Sequence, residues 1–179
     1  MRWTVLTTHE IPSLLVMNPL LTEREIRRRW AEGQECSLGW LDGQVIYYRW
    51  HARDAVYLAY LGKTLRLAQG DYFVSEVFTR PGFRKQGVFG SAVLWHLHRM
   101  REHGFSRAVS ATAWWNTPSI RAQQKAGFVI AGRVGYWNRG IWQKYFANGC
   151  GRLEATGEIS IRPAEVRSVD AVSTGDWRE

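Results

Sequence analysis

The hydrophobic period of this chain changes once, abruptly, within residues 72–103. Residues 72–79, YFVSEVFT, are a β-rich apolar run, whereas from Val88 onward Phe89, Val93, Leu97 and Met100 recur at helical intervals toward Gly104. Between them lies PGFRKQGVFG, a basic turn from Pro81 to Gly90 with three glycines. A strand that passes through such a turn into a helix presents consecutive backbone N–H groups at the positive end of the helix dipole, which makes the turn an anion site. Gly87 and Gly90 let the backbone approach a phosphate closely, and Arg84 and Lys85 add mobile positive charge. The spacing GxxxxGK[ST] is absent, as is GxGxxG with a following acidic residue, so an ATPase and a dinucleotide dehydrogenase are disfavoured.

The residues before this turn read mainly as antiparallel sheet. Strands are expected over 3–7, 35–41, 44–50, 55–61 and 64–68, with Asp42-Gly43 suited to a type I′ hairpin turn. A helix is expected over 11–17, and a second opens at Thr22, whose spacing to Glu25 is that of a capping box, and runs to Ala31. After the turn come a strand over 105–114, a helix from Pro118 to Ala126, and strands over 128–134 and 141–146. A 179-residue chain that is 45% hydrophobic is the size of one compact domain. We place that domain at 1–149 and read 150–179, where the apolar pattern fades, as a poorly ordered tail with no part in chemistry.

Four arginines and six acidic residues fall in 150–179, so residues 1–149 carry +10 against +8 for the whole chain. A basic body attracts anions, which could be nucleic acid, a membrane surface or a polyphosphate cofactor. Nucleic acid ranks last, because no helix-turn-helix, zinc-finger or RNP pattern is present. Arg24, Arg27, Arg28 and Arg29 read first as a solvated helix face and second as a surface that steers an anionic acceptor. Neither a signal-peptide pattern nor an apolar run of about 18 residues is seen, and a cytoplasmic protein is expected. Cys36 and Cys150 read as reduced thiols, and the spacing of His96, His98 and His103 does not support a two-histidine metal site, so no metal is expected.

Pro81-x-x-Arg84 followed by Arg84-Lys85-Gln86-Gly87-Val88-Phe89 resembles the signature of the GNAT superfamily of N-acetyltransferases, with Phe89 where a final Gly or Ala is usual and Gly90 following at once. A second block, Asn116-Thr117-Pro118-Ser119 and then Lys125-Ala126-Gly127-Phe128, is similar to that family's Asn-x-x-Ser/Ala…Lys-x-Gly-Phe segment. The resemblance implies an α/β fold of α+β type: a mixed, largely antiparallel central sheet of six to seven strands, flanked by about four helices, with splayed central strands. It implies acetyl-CoA, or another acyl-CoA, as cosubstrate and a small-molecule or peptide amine as acceptor. On that reading the backbone of Val77, Phe78 and Thr79 pairs with the pantetheine arm, Arg84, Lys85, Gln86, Gly87, Val88, Phe89 and Gly90 hold the pyrophosphate, and Asn116, with Ser119 and Gln123 on the following helix, lies along the arm. Glu76 is the expected general base, with Tyr72 and Ser75 as alternatives, and the N–H near Phe78 the oxyanion donor. Gln123 occupies the place of the usual general-acid Tyr, so the thiolate leaves unaided or through water, or Tyr136 or Tyr145 substitutes. Trp114, Trp115, Tyr136, Trp137 and Trp142 read as core first and acceptor pocket second. A non-catalytic acyl-CoA-binding module is the alternative function, and a homodimer stays open.

Overall fold

The computed structural model describes residues 1–139 and 142–162. Strands β1 (Arg2–Val5), β2 (Glu35–Leu41), β3 (Gln44–Ala52), β6 (Asp71–Thr79) and β7 (Arg107–Ser110) form a five-stranded sheet in the order β1-β2-β3-β6-β7. Every pairing in it is antiparallel except β6 with β7. That exception follows from the connection, since β6 reaches β7 through helix α3 (Val88–Glu102) and a crossover of this length returns the chain in the same direction.

Strand β3 is buried along its length from Val45 to Ala52, as a central strand covered on both faces should be. Tyr48 and Trp50 pack with Leu14 of α1 (Ile11–Met17) and Ile26 of α2 (Glu23–Ala31), while Tyr47 packs with Val88 and Ala92 of α3. The β2–β3 hairpin turns on Asp42 and Gly43, at φ 49° and 75°, the left-handed pair that a type I′ turn requires. Thr22 caps α2 by accepting from the Glu25 N–H, the first half of the expected box.

The sheet differs from expectation in how its strands are shared. The central sheet closes at five strands, and β4 (Ala55–Leu58) and β5 (Lys63–Arg66) leave it to join β10 (Gly151–Leu153) and β11 (Ile159–Ile161) in the order β10-β11-β5-β4. Strands β8 (Gly132–Arg139) and β9 (Trp142–Gly149) form a separate hairpin. The strand expected over 105–114 covers only Arg107–Ser110, and the one expected over 128–134 starts at Gly132, after the left-handed Gly127 that follows α4 (Thr117–Lys125).

The expected boundary at 149/150 falls inside the folded unit. β11 pairs in parallel with β5, and Ile159 is 1% exposed in a cluster with Val56, Leu58, Leu65 and Phe73. The apolar pattern there is only three residues long, too short to stand out against the surrounding Gly, Ser and Glu. The remainder of the tail, 163–179, lies outside the described residues. Among the described residues no helix is long and apolar enough to cross a membrane.

Candidate functional site

The site is created by a divergence of strands. β6 pairs with β7 only over residues 71–74, whereas its pairing with β3 continues to Thr79 opposite Tyr47. Residues 75–79 therefore have β3 on one side and no strand on the other. The burial of β6 changes at the same point, from buried over 71–74 to partly exposed over 75–79. A bulge lies here too, because Arg49 stands opposite Val77 while His51 stands opposite Val74, which leaves β6 one extra residue. Ser75 and Glu76 occupy it, and Val77, Phe78 and Thr79 occupy the unpartnered stretch beyond.

The strand leads straight into the basic turn. Pro81–Phe83 make one 3₁₀ turn, Arg84 is extended, Lys85 and Gly87 are left-handed at φ 62° and 74°, and α3 starts at Val88. Alternation into the left-handed region turns successive N–H groups toward one side. The first N–H groups of a helix have no acceptor within it, and Gly87 offers no side-chain cap, so Val88, Phe89 and Gly90 present open donors at the positive end of a 15-residue helix. The side chains of the turn brace it: Arg84 Nε donates to the Thr79 carbonyl at 3.0 Å with its guanidinium 5.6 Å from the Phe78 ring, and Gln86 Nε2 donates to the Gly82 carbonyl at 2.9 Å. Phe89 turns its ring inward against Ile46, Tyr47, Val88 and Ala92, which leaves the turn open despite the bulk at that position. A Cβ at Gly90 would meet nothing within 4 Å, so the backbone face there is unobstructed.

Glu76 faces the other side of the sheet. Its Oε2 accepts from Arg29 Nη2 at 2.7 Å, and its Oε1 accepts from the Tyr48 hydroxyl, which in turn accepts from Asn18 Nδ2 at 2.8 Å. Burial, followed by the hydrogen bond to Glu76, raises the Tyr48 pKa and keeps the phenol protonated. Arg29 also lies 4.9 Å over the Trp50 ring and accompanies Glu25. Glu76 is thus a carboxylate held by donors on both oxygens, with its side chain 36% exposed. Sequence reasoning found Glu76 and noted the arginines, yet missed Tyr48 and Asn18, which are 28 and 58 residues away along the chain and carry no local motif.

On the β7 side, Asn116 Oδ1 accepts from the Ser119 N–H at 3.3 Å and so caps α4. Gln123 is fully engaged: Oε1 accepts from Ser110 at 2.6 Å, and Nε2 donates to Thr112 at 2.7 Å and to Ser119 at 3.1 Å. It ties α4 to the end of β7, and both amide donors are occupied, so neither is free for a leaving thiolate. Tyr145 donates its hydroxyl to the Leu61 carbonyl at 3.0 Å, and Tyr136 packs against the cluster around Leu58 and Phe73. Trp114 and Trp115 stand in the loop between β7 and α4, 81% and 70% exposed, edge to face at 5.7 Å. That exposure reverses the expected order for these two, which are not core. Cys36 is fully buried and burial pushes its thiol up, which leaves it an inert core residue.

No family model matches the chain, and no curated protein matches it in sequence. Solved structures match it in fold. The aminoglycoside N-acetyltransferase AAC(6′)-Iy in complex with CoA superposes with a TM-score of 0.61 at 17% identity, covering 77% of this chain and 98% of that one. The aminoglycoside 6′-N-acetyltransferase AAC(6′)-Ig of Acinetobacter haemolyticus gives 0.59 at 16% identity, over 79% and 99%. A transcriptional regulator of Bacillus halodurans gives 0.53 at 16% identity, over 72% and 93%. These likenesses show that the chain shares the fold of these structures, which is the fold expected from the resemblance of its two motif blocks.

Proposed function

We propose that the chain is an acyl-CoA-dependent N-acyltransferase in which the acyl donor lies in the gap between β6 and β7. The single observation that carries this reading is the continuity of two features on one stretch of chain. The open edge at residues 75–79 would pair with an amide-bearing arm, and the uncapped start of α3 at Gly87, with Arg84 and Lys85 beside it, would take a pyrophosphate. A ligand with an anionic end and an amide-bearing arm fits both at once, and CoA has that form.

Transfer is then direct attack of a neutral amine on the thioester. Glu76 would accept the amine proton, directly or through one water, on a lone pair not taken by Arg29 or Tyr48. An N–H near Phe78 would donate to the tetrahedral oxyanion. With the donors of Gln123 occupied, the thiolate takes its proton from water. The engagement of Gln123 is also the observation that favours a second reading, a module that binds acyl-CoA without turnover.

One assay separates the two readings. Acetyl-CoA is offered with a panel of amines that begins with aminoglycosides, the acceptors named for the structural neighbours, and continues with polyamines and peptide N-termini, and CoA release is followed. Amine-dependent CoA release supports the enzyme; tight acetyl-CoA binding without release across the panel supports the binding module. Absence of acetyl-CoA binding by calorimetry overturns both.

A further inference from the structure

Arg49 sits in the middle of β3, 2% exposed, with Nε and Nη1 buried and without a hydrogen-bond partner among the described residues. No carboxylate of the described residues forms an ion pair with it. The neighbouring acid, Glu35 on β2, is already shared among His51 at 3.1 Å, Arg99 at 3.2 Å and Arg53 at 3.6 Å. Around Arg49 the remaining polar groups are donors or neutral. The His51 ring lies 4.5 Å from His96, and Tyr72 lies 5.2 Å from His96. Tyr72 Oη and His96 Nε2 are buried without partners among the described residues. Burial, reinforced by the positive charge of Arg49, lowers the pKa of His96 and of His51, so neither imidazole adds a cation and each keeps one N–H.

A buried guanidinium is tolerated in a folded protein only when a counter-charge accompanies it. Internal water would satisfy the hydrogen bonds around Arg49 but would leave its charge uncompensated. One hydroxyl and an imidazole N–H beside one cation are matched by one small monovalent anion; a dianion would need a second cation within the same donor set.

We infer that the chain carries an internal anion site between β3, β6 and α3, in which Arg49, with Tyr72 and His96, holds a single halide-sized monovalent anion. The site is distinct from the phosphate turn, whose donors are exposed main chain, whereas this one is enclosed by side chains. Tyr72, at its margin, also floors a surface depression bounded by Leu97, Arg101, Phe105 and Ser106, which gives a route for exchange with solvent.

The test uses the full chain at constant ionic strength, replacing sodium gluconate stepwise by sodium chloride or bromide. The melting temperature is expected to rise saturably, by about 3 to 6 °C when chloride reaches ten times its Kd. Crystals grown in bromide should show one anomalous peak in contact with the Arg49 guanidinium. Tyr72→Phe should fold and require about tenfold more chloride for the same rise, and Arg49→Met should lose the dependence. If Arg49→Met does not fold, the titration of the parent and the bromide map still decide. Equal melting temperatures in chloride and gluconate would overturn the inference, as would a map with only water, or a carboxylate from residues 163–179, against Arg49.

Discussion

Glu76 illustrates what a single position can and cannot reveal. Its place five residues before Pro81 was readable in the sequence, but the pair of donors that grips it was not, because Arg29, Tyr48 and Asn18 converge through the packing of α1, α2 and β3. If Glu76 takes the amine proton, Glu76→Gln lowers kcat/KM by about 10² to 10⁴ while leaving acetyl-CoA affinity intact. Stopped-flow turnover alongside calorimetry checks this, and a variant within about threefold of the parent, far short of a general base's usual contribution, would make Glu76 a structural carboxylate. The basic turn proposed to hold the pyrophosphate lies on one continuous stretch and was more legible as a local pattern. Arg84→Ala is expected to weaken acetyl-CoA binding about tenfold to a hundredfold, the range of a charge-assisted bond of roughly 1.5 to 3 kcal/mol.

At the scale of elements, the start of α3 carries more than any one side chain in it. Gly87 holds φ 74° with open space around its Cβ position, so Gly87→Val creates no clash and acts through the backbone alone. A β-branched residue resists that φ, and a turn that abandons it misdirects several N–H groups together. Acetyl-CoA affinity should therefore fall further in Gly87→Val than in Arg84→Ala, with the melting temperature reporting whether the fold survives. Helices and hairpins were legible because caps, turn residues and periodicity are local. The strands β10 and β11 were not, because they are three residues long and are tied to the fold through the pairing of β11 with β5, about 90 residues away. Ile159→Ala should thus cost about 2 to 5 kcal/mol, read by urea unfolding, whereas a loose tail would show no change.

For the whole molecule, the buried histidines set the response to acid. His96 is neutral in the native state with its pKa far below the ordinary 6.5, so below pH 6.5 the unfolded chain binds a proton that the native chain does not. Stability is then full above that pH and declines beneath it, by about 1.4 kcal/mol from His96 alone at pH 5.5. Glu35 adds a second loss at lower pH. The hydrogen bond from His51, with Arg99 nearby, holds its carboxyl down to about 2, so its contribution is complete above its unfolded value of 4.5 and disappears between there and about 2. Urea unfolding at pH 8, 6.5 and 5.5 should show the first loss, reduced in His96→Phe.

The divergence of β6 from β7 has a consequence for the ligand-free protein. A strand that leaves its neighbour halfway along presents a raw edge inside the molecule, where any extended chain could dock. The cosubstrate would act there as a removable strand, and the sheet would be complete only while loaded. Amide hydrogen exchange at residues 75–79 should be fast in the free protein and slow on addition of acetyl-CoA, while residues 71–74, already laddered to β7, stay protected throughout. On the same reading substrate supply would govern solubility: without CoA the open edge of β6 would be available to a second chain, and saturating CoA should suppress association.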